Sequence, residues 1–122
     1  MGYYKVSRAL GSKAEEVAKK FLQNLGYNIL AMNISYKCGE IDIIALDKKT
    51  MVFVEVKQKK DAKFSQPYEA VNFSKQKKII KAAHMYLQKL KGQMPYCRFD
   101  VVSIIGVDEN AEITHIKDAF IA

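Results

Sequence analysis

From Ala14 onward, apolar residues recur at helical spacing: Ala14, Val17, Ala18, Phe21, Leu22 and Leu25 fall on one stripe. Ser12-Lys13-Ala14-Glu15 has the S-x-x-E pattern of a capping box, which predicts a helix starting at Ser12, and Gly26 is its expected stop. Residues 27–32 read as a strand. Gly39 precedes a β-branched run over 40–46. The polar turn Asp47-Lys48-Lys49-Thr50 follows, then a second apolar run over 51–57. Residues 58–73 form a long connection in which Pro67 suits the first turn of a short helix. Ser74 is the expected cap of a second helix over 75–91. Ile79, Ala83, Tyr86, Leu87 and Leu90 point inward there, and Lys77, Lys81, His84 and Gln88 outward. Residues 99–107 and 112–116 read as the last two strands. There is no internal repeat, linker or low-complexity tract. The order predicts one α/β domain over residues 1–122, with a mixed central sheet of about five strands flanked by helices.

The two central strands carry most of the chemistry. With Leu46 opposite Met51 across the turn, Asp42 falls opposite Glu55 and Glu40 opposite Lys57. Directly opposed residues share a face, so Glu40, Asp42, Glu55 and Lys57 gather at the end far from the turn. Ile44, Phe53, Leu46 and Met51 continue that face. The other carries Ile41, Ile43, Ala45, Val52, Val54 and Val56. Apolar residues on both faces indicate a strand pair covered on both sides. Asp42 and Glu55 then repel at the edge of a covered region. A divalent cation on hard carboxylate oxygens offsets this, and Mg²⁺ is the usual one. Lys57 with one shared proton would do so without metal, and a solvated salt-bridge ladder is the plain structural alternative. Glu15 is likewise two-sided: the capping partner of Ser12, or an acid at the margin of the helical stripe that reaches the sheet rim. Glu16 points away.

Charge changes the picture. The chain has 20 Lys+Arg against 13 Asp+Glu, a net +7. Ten of the basic residues lie between Lys57 and Lys91, with only Asp61 and Glu69 to oppose them. Such a patch attracts polyanions, nucleic acid above all. Lengths and usage are those of one globular domain: 122 residues, 49% hydrophobic and 27% charged. The longest nearly apolar run, 101–107, is far short of the ~20 residues of a membrane helix, so no membrane partner is expected. Residues 1–11 contain no apolar signal core. Cys38 and Cys97 are too few for a disulfide framework and are expected as reduced thiols in a cytoplasmic protein. No G-x-x-x-x-G-K pattern occurs, which leaves nucleoside triphosphate hydrolysis unsupported. His84 is expected at the surface, and His115 has no apparent partner.

Gly39-Glu40-Ile41-Asp42-Ile43-Ile44-Ala45 followed by Val52-Phe53-Val54-Glu55-Val56-Lys57 resembles the YraN family, whose fold is similar to restriction endonucleases and archaeal Holliday junction resolvases. The resemblance runs nearly the whole chain. It takes in Gly11, Ala14, Glu15 and Ala18, then Gly26-Tyr27, Asn33, Lys75-Gln76, Ala83, Tyr86-Leu87, Arg98-Phe99-Asp100-Val101-Val102 and Ala119-Phe120. Lys59 and Ser35 stand where the family usually has arginine. The resemblance implies a restriction endonuclease-like fold. It implies Asp42 and Glu55 as metal ligands, with the Val56 carbonyl as a further one. Glu15 matches the helix-borne acid and Lys57 the lysine of the D…E-x-K signature. Lys75 and Gln76 match the polar start of the second helix.

The expected function is therefore Mg²⁺- or Mn²⁺-dependent endonucleolytic hydrolysis of phosphodiester bonds in nucleic acid, DNA and branched DNA in particular. Asp42, Glu55, Lys57 and Glu15 are the expected catalytic residues. Lys59, Lys60, Lys75, Gln76, Lys77 and Lys81 are the expected nucleic-acid contacts. Lys57, whose ordinary pKa is about 10.4, is expected as an electrostatic clamp rather than a base. A homodimer is expected by analogy with enzymes that resolve symmetric junctions. The alternatives are a binding module of the same fold that does not cut, and a protein-interaction domain with a structural salt-bridge cluster.

Overall fold

A computed structural model describes residues 2–59, 71–106 and 110–121, with side chains from Lys13 onward. Its elements are α1 (Gly2–Asn24), β1 (Asn28–Tyr36), β2 (Gly39–Asp47), β3 (Thr50–Lys59), α2 (Phe73–Leu87), β4 (Tyr96–Ile105) and β5 (Glu112–Phe120). The strands form one sheet in the order β1-β2-β3-β4-β5. Three junctions are antiparallel, and β3–β4 is parallel. The parallel pair requires a crossover, and α2 lies within it.

The helices cover opposite faces. Ala14, Ala18 and Leu22 of α1 pack with Ile43, Ala45, Val52, Val54, Val102 and Ile104. Ile79, Ala82 and Ala83 of α2 pack with Ile44, Met51, Phe53, Phe99 and Val101. Coverage on both sides is why β2, β3 and β4 read as nearly continuous apolar runs. This five-stranded mixed sheet with its two helices is compatible with a restriction endonuclease-like fold. Among the described residues no helix is long and apolar enough to cross a membrane. Pro67, and with it the short helix expected near it, lies outside the described residues.

Several boundaries differ from the sequence reading. α1 begins at Gly2, so the S-x-x-E pattern lies inside a continuous helix and has no terminus to cap. α2 is capped by Asn72 rather than Ser74: its Oδ1 accepts the Lys75 N–H at 2.9 Å. Asparagine caps as well as serine. The helix stops at Leu87, which leaves Leu90 outside it and exposed; Val17 and Leu25 of the α1 stripe are exposed too.

The β2–β3 register is the expected one from Asp47↔Thr50 to Ile43↔Val54, and the ladder then ends. Beyond that point Glu40 and Lys57 are not ladder partners. The alternation breaks as well: Ile41 joins the α2-side core and Ile43 the α1-side core. In a regular strand these two would share a face.

A charged network closes the turn end of the sheet. Asp100 of β4 is fully buried. Its carboxylate accepts Arg98 Nε at 2.8 Å and Nη2 at 3.0 Å, and the Asp118 N–H at 3.0 Å. His115 Nε2 lies 2.7 Å from Asp100 Oδ2, so His115 has a partner that sequence reasoning did not find. Arg98 also donates to Asp47 at 3.1 Å and to the Tyr27 hydroxyl at 2.7 Å. One guanidinium thereby ties β4 to the ends of β1 and β2.

A candidate acid-and-lysine cleft

Where β2 parts from β3, the missing rung is replaced by a side chain. The Val56 N–H donates to Asp42 Oδ2 at 2.8 Å. This holds Asp42 beside Glu55. The acids thus meet although the strand is irregular there. From the α1 side Glu15, 8% exposed, reaches Asp42 and Asn33. Asn33 adopts a left-handed conformation (φ 54°) that asparagine tolerates better than most residues. Glu16 is exposed and faces Lys19 at 3.8 Å. Glu15 therefore serves the sheet edge and not a helix cap.

Three carboxyls so placed lack enough counter-charge. Burial raises the pKa of Glu15, and the Asn33 and Asp42 hydrogen bonds oppose it only in part. Burial raises Asp42 as well. Glu55, 6% exposed, is pushed up to about 8, first by burial and then by the hydrogen bond and charge of Asp42. Carboxyls this close hold protons more readily than isolated ones, because each charge disfavours the other. Glu15 Oε1 is buried with no hydrogen-bond partner.

Lys75 brings positive charge to these acids. Its Nζ lies 2.6 Å from Glu55 Oε2. Burial works against the ammonium, but the bond and charge of Glu55 outweigh it and hold the Lys75 pKa above its ordinary value. Sequence reasoning places Lys75 among the nucleic-acid contacts and Lys57 beside the acids. Strand alternation puts Lys57 on the α2 face with Phe53 and Glu55, half-buried. The walls of the cleft are formed by other residues.

That cleft has a volume of about 570 Å³. Gly39, Glu40, Asp42 and Glu55 line it from the sheet; Lys37 and Cys38 line it from the β1–β2 turn; Ser74, Lys75 and Lys78 line it from α2, and Asn72 from the cap of that helix. Gly39 permits the close approach of α2: a Cβ there would stand 2.4 Å from the Lys78 carbonyl oxygen. Two lysines lie over aromatic rings, Lys77 over Phe73 at 4.6 Å and Lys89 over the cleft-lining Tyr36 at 5.1 Å.

The remaining expected contacts are dispersed. Lys59 is exposed at the end of β3, and Lys60 lies outside the described residues. Gln76 donates its amide to the Val71 carbonyl at 2.7 Å, which secures the start of α2. Lys77 and Lys81 stand on the exposed side of α2. Lys81 lines a separate shallow hollow with Cys38, His84 and Met85. Lys37 and Lys78 were missed. Lys78 is three residues after Lys75 and so on the same helical face, a signal the sequence did contain. Cys38 and Cys97 are free thiols, half-buried and exposed respectively.

Among the described residues no three His, Cys, Asp or Glu side chains are arranged to enclose a metal ion. Two carboxylates are nonetheless sufficient for Mg²⁺, which keeps several waters and takes one or two carboxylates together with substrate phosphate. The unpartnered Glu15 Oε1 and the adjacent, buried Asp42 and Glu55 carboxyls fit a site built for added positive charge.

Fold and cleft together define a class: a small α/β domain, compatible with the restriction endonuclease-like fold, with a buried acid cluster where two central strands part. The chain belongs to the Uncharacterised protein family UPF0102, whose model matches residues 14–104, and the YraN family is the same family. A UPF0102 protein of Geotalea daltonii is 48% identical over 115 residues, covering 93% of this chain and 91% of the relative. One from Symbiobacterium thermophilum is 41% identical over 116 residues, 94% and 98% of the two chains. One from Chlorobium phaeobacteroides is 44% identical over 117 residues, 91% and 93%. The matched segment contains Glu15, Asp42, Glu55, Lys57 and Lys75.

Proposed function

We propose that this protein is a divalent-cation-dependent endonuclease that hydrolyses phosphodiester bonds in nucleic acid, with DNA as the substrate and Mg²⁺ or Mn²⁺ as the cofactor. The observation that carries this reading is the meeting of Glu15, Asp42 and Glu55, from α1, β2 and β3, beside a cleft walled by lysines. An acidic floor under a basic rim suits a polyanion whose reacting phosphate needs a bridging cation.

Asp42 and Glu55 would hold the cation, with the Val56 carbonyl and waters completing its shell. When bound, it would neutralise charge on the phosphate and lower the pKa of a coordinated water. Lys37 and Lys78 attract and orient the phosphate backbone from the cleft walls. Lys57, on the face of Glu55, stabilises charge that develops on the phosphate. Glu15, buried beside Asp42, fixes its orientation.

A panel of linear, nicked and branched DNAs, with RNA alongside, tests the reading in Mg²⁺ and Mn²⁺. A Glu55→Gln protein prepared in parallel excludes a contaminating nuclease. Cleavage by the wild type alone is expected, and Lys57→Ala is expected to bind cation yet not cleave. The Lys75–Glu55 ion pair favours one second reading, a nucleic-acid-binding module that does not cut. Salt-sensitive binding without cleavage of any substrate would select it.

A further inference from the structure

We propose that Lys75 is the resident counter-ion of the cleft: its ammonium and a divalent cation compete for the same Glu55 oxygen, and cation binding releases Lys75 to a substrate phosphate. The inference rests on the cation-site reading above and adds to it a coupling between metal and polyanion.

The geometry of the pair is unequal. Glu55 is 6% exposed on a central strand, and the Lys75 side chain is 54% exposed on the first turn of α2. The carboxylate is fixed by the sheet, whereas the lysine is anchored only at its backbone and its head. When the pair opens, the lysine is the partner that moves. Its Nζ stands 2.6 Å from Glu55 Oε2. A metal ion on that oxygen would bring two positive charges into contact, so one must leave.

The displaced ammonium stays in the cleft. Lys75 lines it together with Lys78, and the cap at Asn72 keeps the Lys75 backbone in place through its N–H. A flexible four-carbon stem with three rotatable donors can turn from a carboxylate to a phosphate without moving the helix. Metal loading therefore increases the positive charge available to the substrate twice, once by the metal and once by the released lysine. Because coupling free energies are reciprocal, substrate must in turn tighten metal binding.

The test titrates Mn²⁺ calorimetrically into the wild type, Lys75→Gln, Lys75→Arg and Glu55→Gln. It also measures a labelled DNA duplex by anisotropy with and without Ca²⁺ at fixed ionic strength. Lys75→Gln is expected to bind Mn²⁺ about fivefold tighter or more than the wild type, the lower end of ordinary coupling. Lys75→Arg is expected to keep the wild-type affinity, and Glu55→Gln to lose it. Ca²⁺ is expected to tighten duplex binding several-fold in the wild type and less in Lys75→Gln. Unchanged or weaker Mn²⁺ binding by Lys75→Gln, with Glu55→Gln still inactive in binding, overturns the competition and leaves the cation site standing. Tightening in Lys75→Arg overturns it also. No Mn²⁺ uptake by any of the four proteins overturns both the competition and the cation site.

Discussion

Val56 and Asp42 are joined by an N–H that donates to Oδ2 at 2.8 Å, across fourteen positions of chain. The bond stands where the β2–β3 ladder has already ended at Ile43↔Val54. It satisfies a backbone donor that β2 no longer meets, and it aims one carboxylate at another. Opening the sheet and assembling the cleft are thus the same structural event.

That double role separates two substitutions. Asp42→Asn keeps a side-chain oxygen for the Val56 N–H, whereas Asp42→Ala leaves the donor unpaired. Urea denaturation should place Asp42→Ala about 1–3 kcal/mol below Asp42→Asn in stability. Both should lose cation affinity. Equal stability of the two variants would mean that the bond contributes little to the fold.

Glu55 predicts a pH dependence. Its pKa is about 8 in the fold against an ordinary 4.5. Between those values the folded chain holds a proton that the unfolded chain releases, so this contribution to stability falls as pH rises. It is fully present below the ordinary value and lost through the folded one. The melting temperature of the wild type should drop by several degrees from about pH 5 to about pH 9, relative to Glu55→Gln, which carries no titrating group there. Saturating Mg²⁺ at the upper end should recover part of the loss, because the metal then replaces the proton. Parallel wild-type and variant curves would remove the basis for a buried, protonated Glu55.

The sequence makes the element order and the Leu46↔Met51 register legible because a four-residue turn and β-branched runs are local signals. It also brings Asp42 and Glu55 together. Four features were not legible, each because it depends on structure beyond the local pattern. Ser12 resembled a cap because nothing local shows that the helix continues back to Gly2. Lys75 could be placed on a helix but not against Glu55, since that contact depends on where α2 crosses the sheet. The Asp100–His115 pair depends on β5 returning beside β4. Ile41 changes face because the irregular strand turns it there, which a strict period of two cannot show.

Gly39 should be intolerant of any side chain. A Cβ there would lie 2.4 Å from the Lys78 carbonyl oxygen and 2.9 Å from its carbon, both backbone atoms within a helix. The helix must therefore shift as a body. Gly39→Ala is expected to cost about 1–3 kcal/mol, the range of overpacking strain. The shift would also draw Lys75 away from Glu55, and because Lys75 lowers the Glu55 pKa, that pKa should rise further. NMR titration of the Glu55 carboxyl in the two proteins checks the direction. A wild-type titration curve in Gly39→Ala would show that α2 adapts without moving its first turn.

Asp100 predicts the opposite pH behaviour from the other end of the sheet. Burial works to raise its pKa, but the His115 and Arg98 hydrogen bonds and the Asp118 N–H outweigh it and hold it below the ordinary carboxylate value. The folded chain binds fewer protons than the unfolded one as the carboxylate range is approached. Its contribution is therefore present above the ordinary pKa and lost as pH falls through the depressed one. Asp100→Asn should flatten the acid limb of the stability curve, and its loss of stability should shrink as the pH is lowered. Asp100→Ala leaves Arg98 and His115 facing a void and should cost about 3–5 kcal/mol near neutrality, as removal of one partner from a buried charge cluster does. This cluster lies at the turn end of the sheet and lines no part of the acid cleft. The Mn²⁺ affinity of folded Asp100→Asn should therefore match the wild type. A weakened affinity with the fold intact would show that the network transmits order to the acids through β3 and β4, and that the two ends of the sheet are not independent.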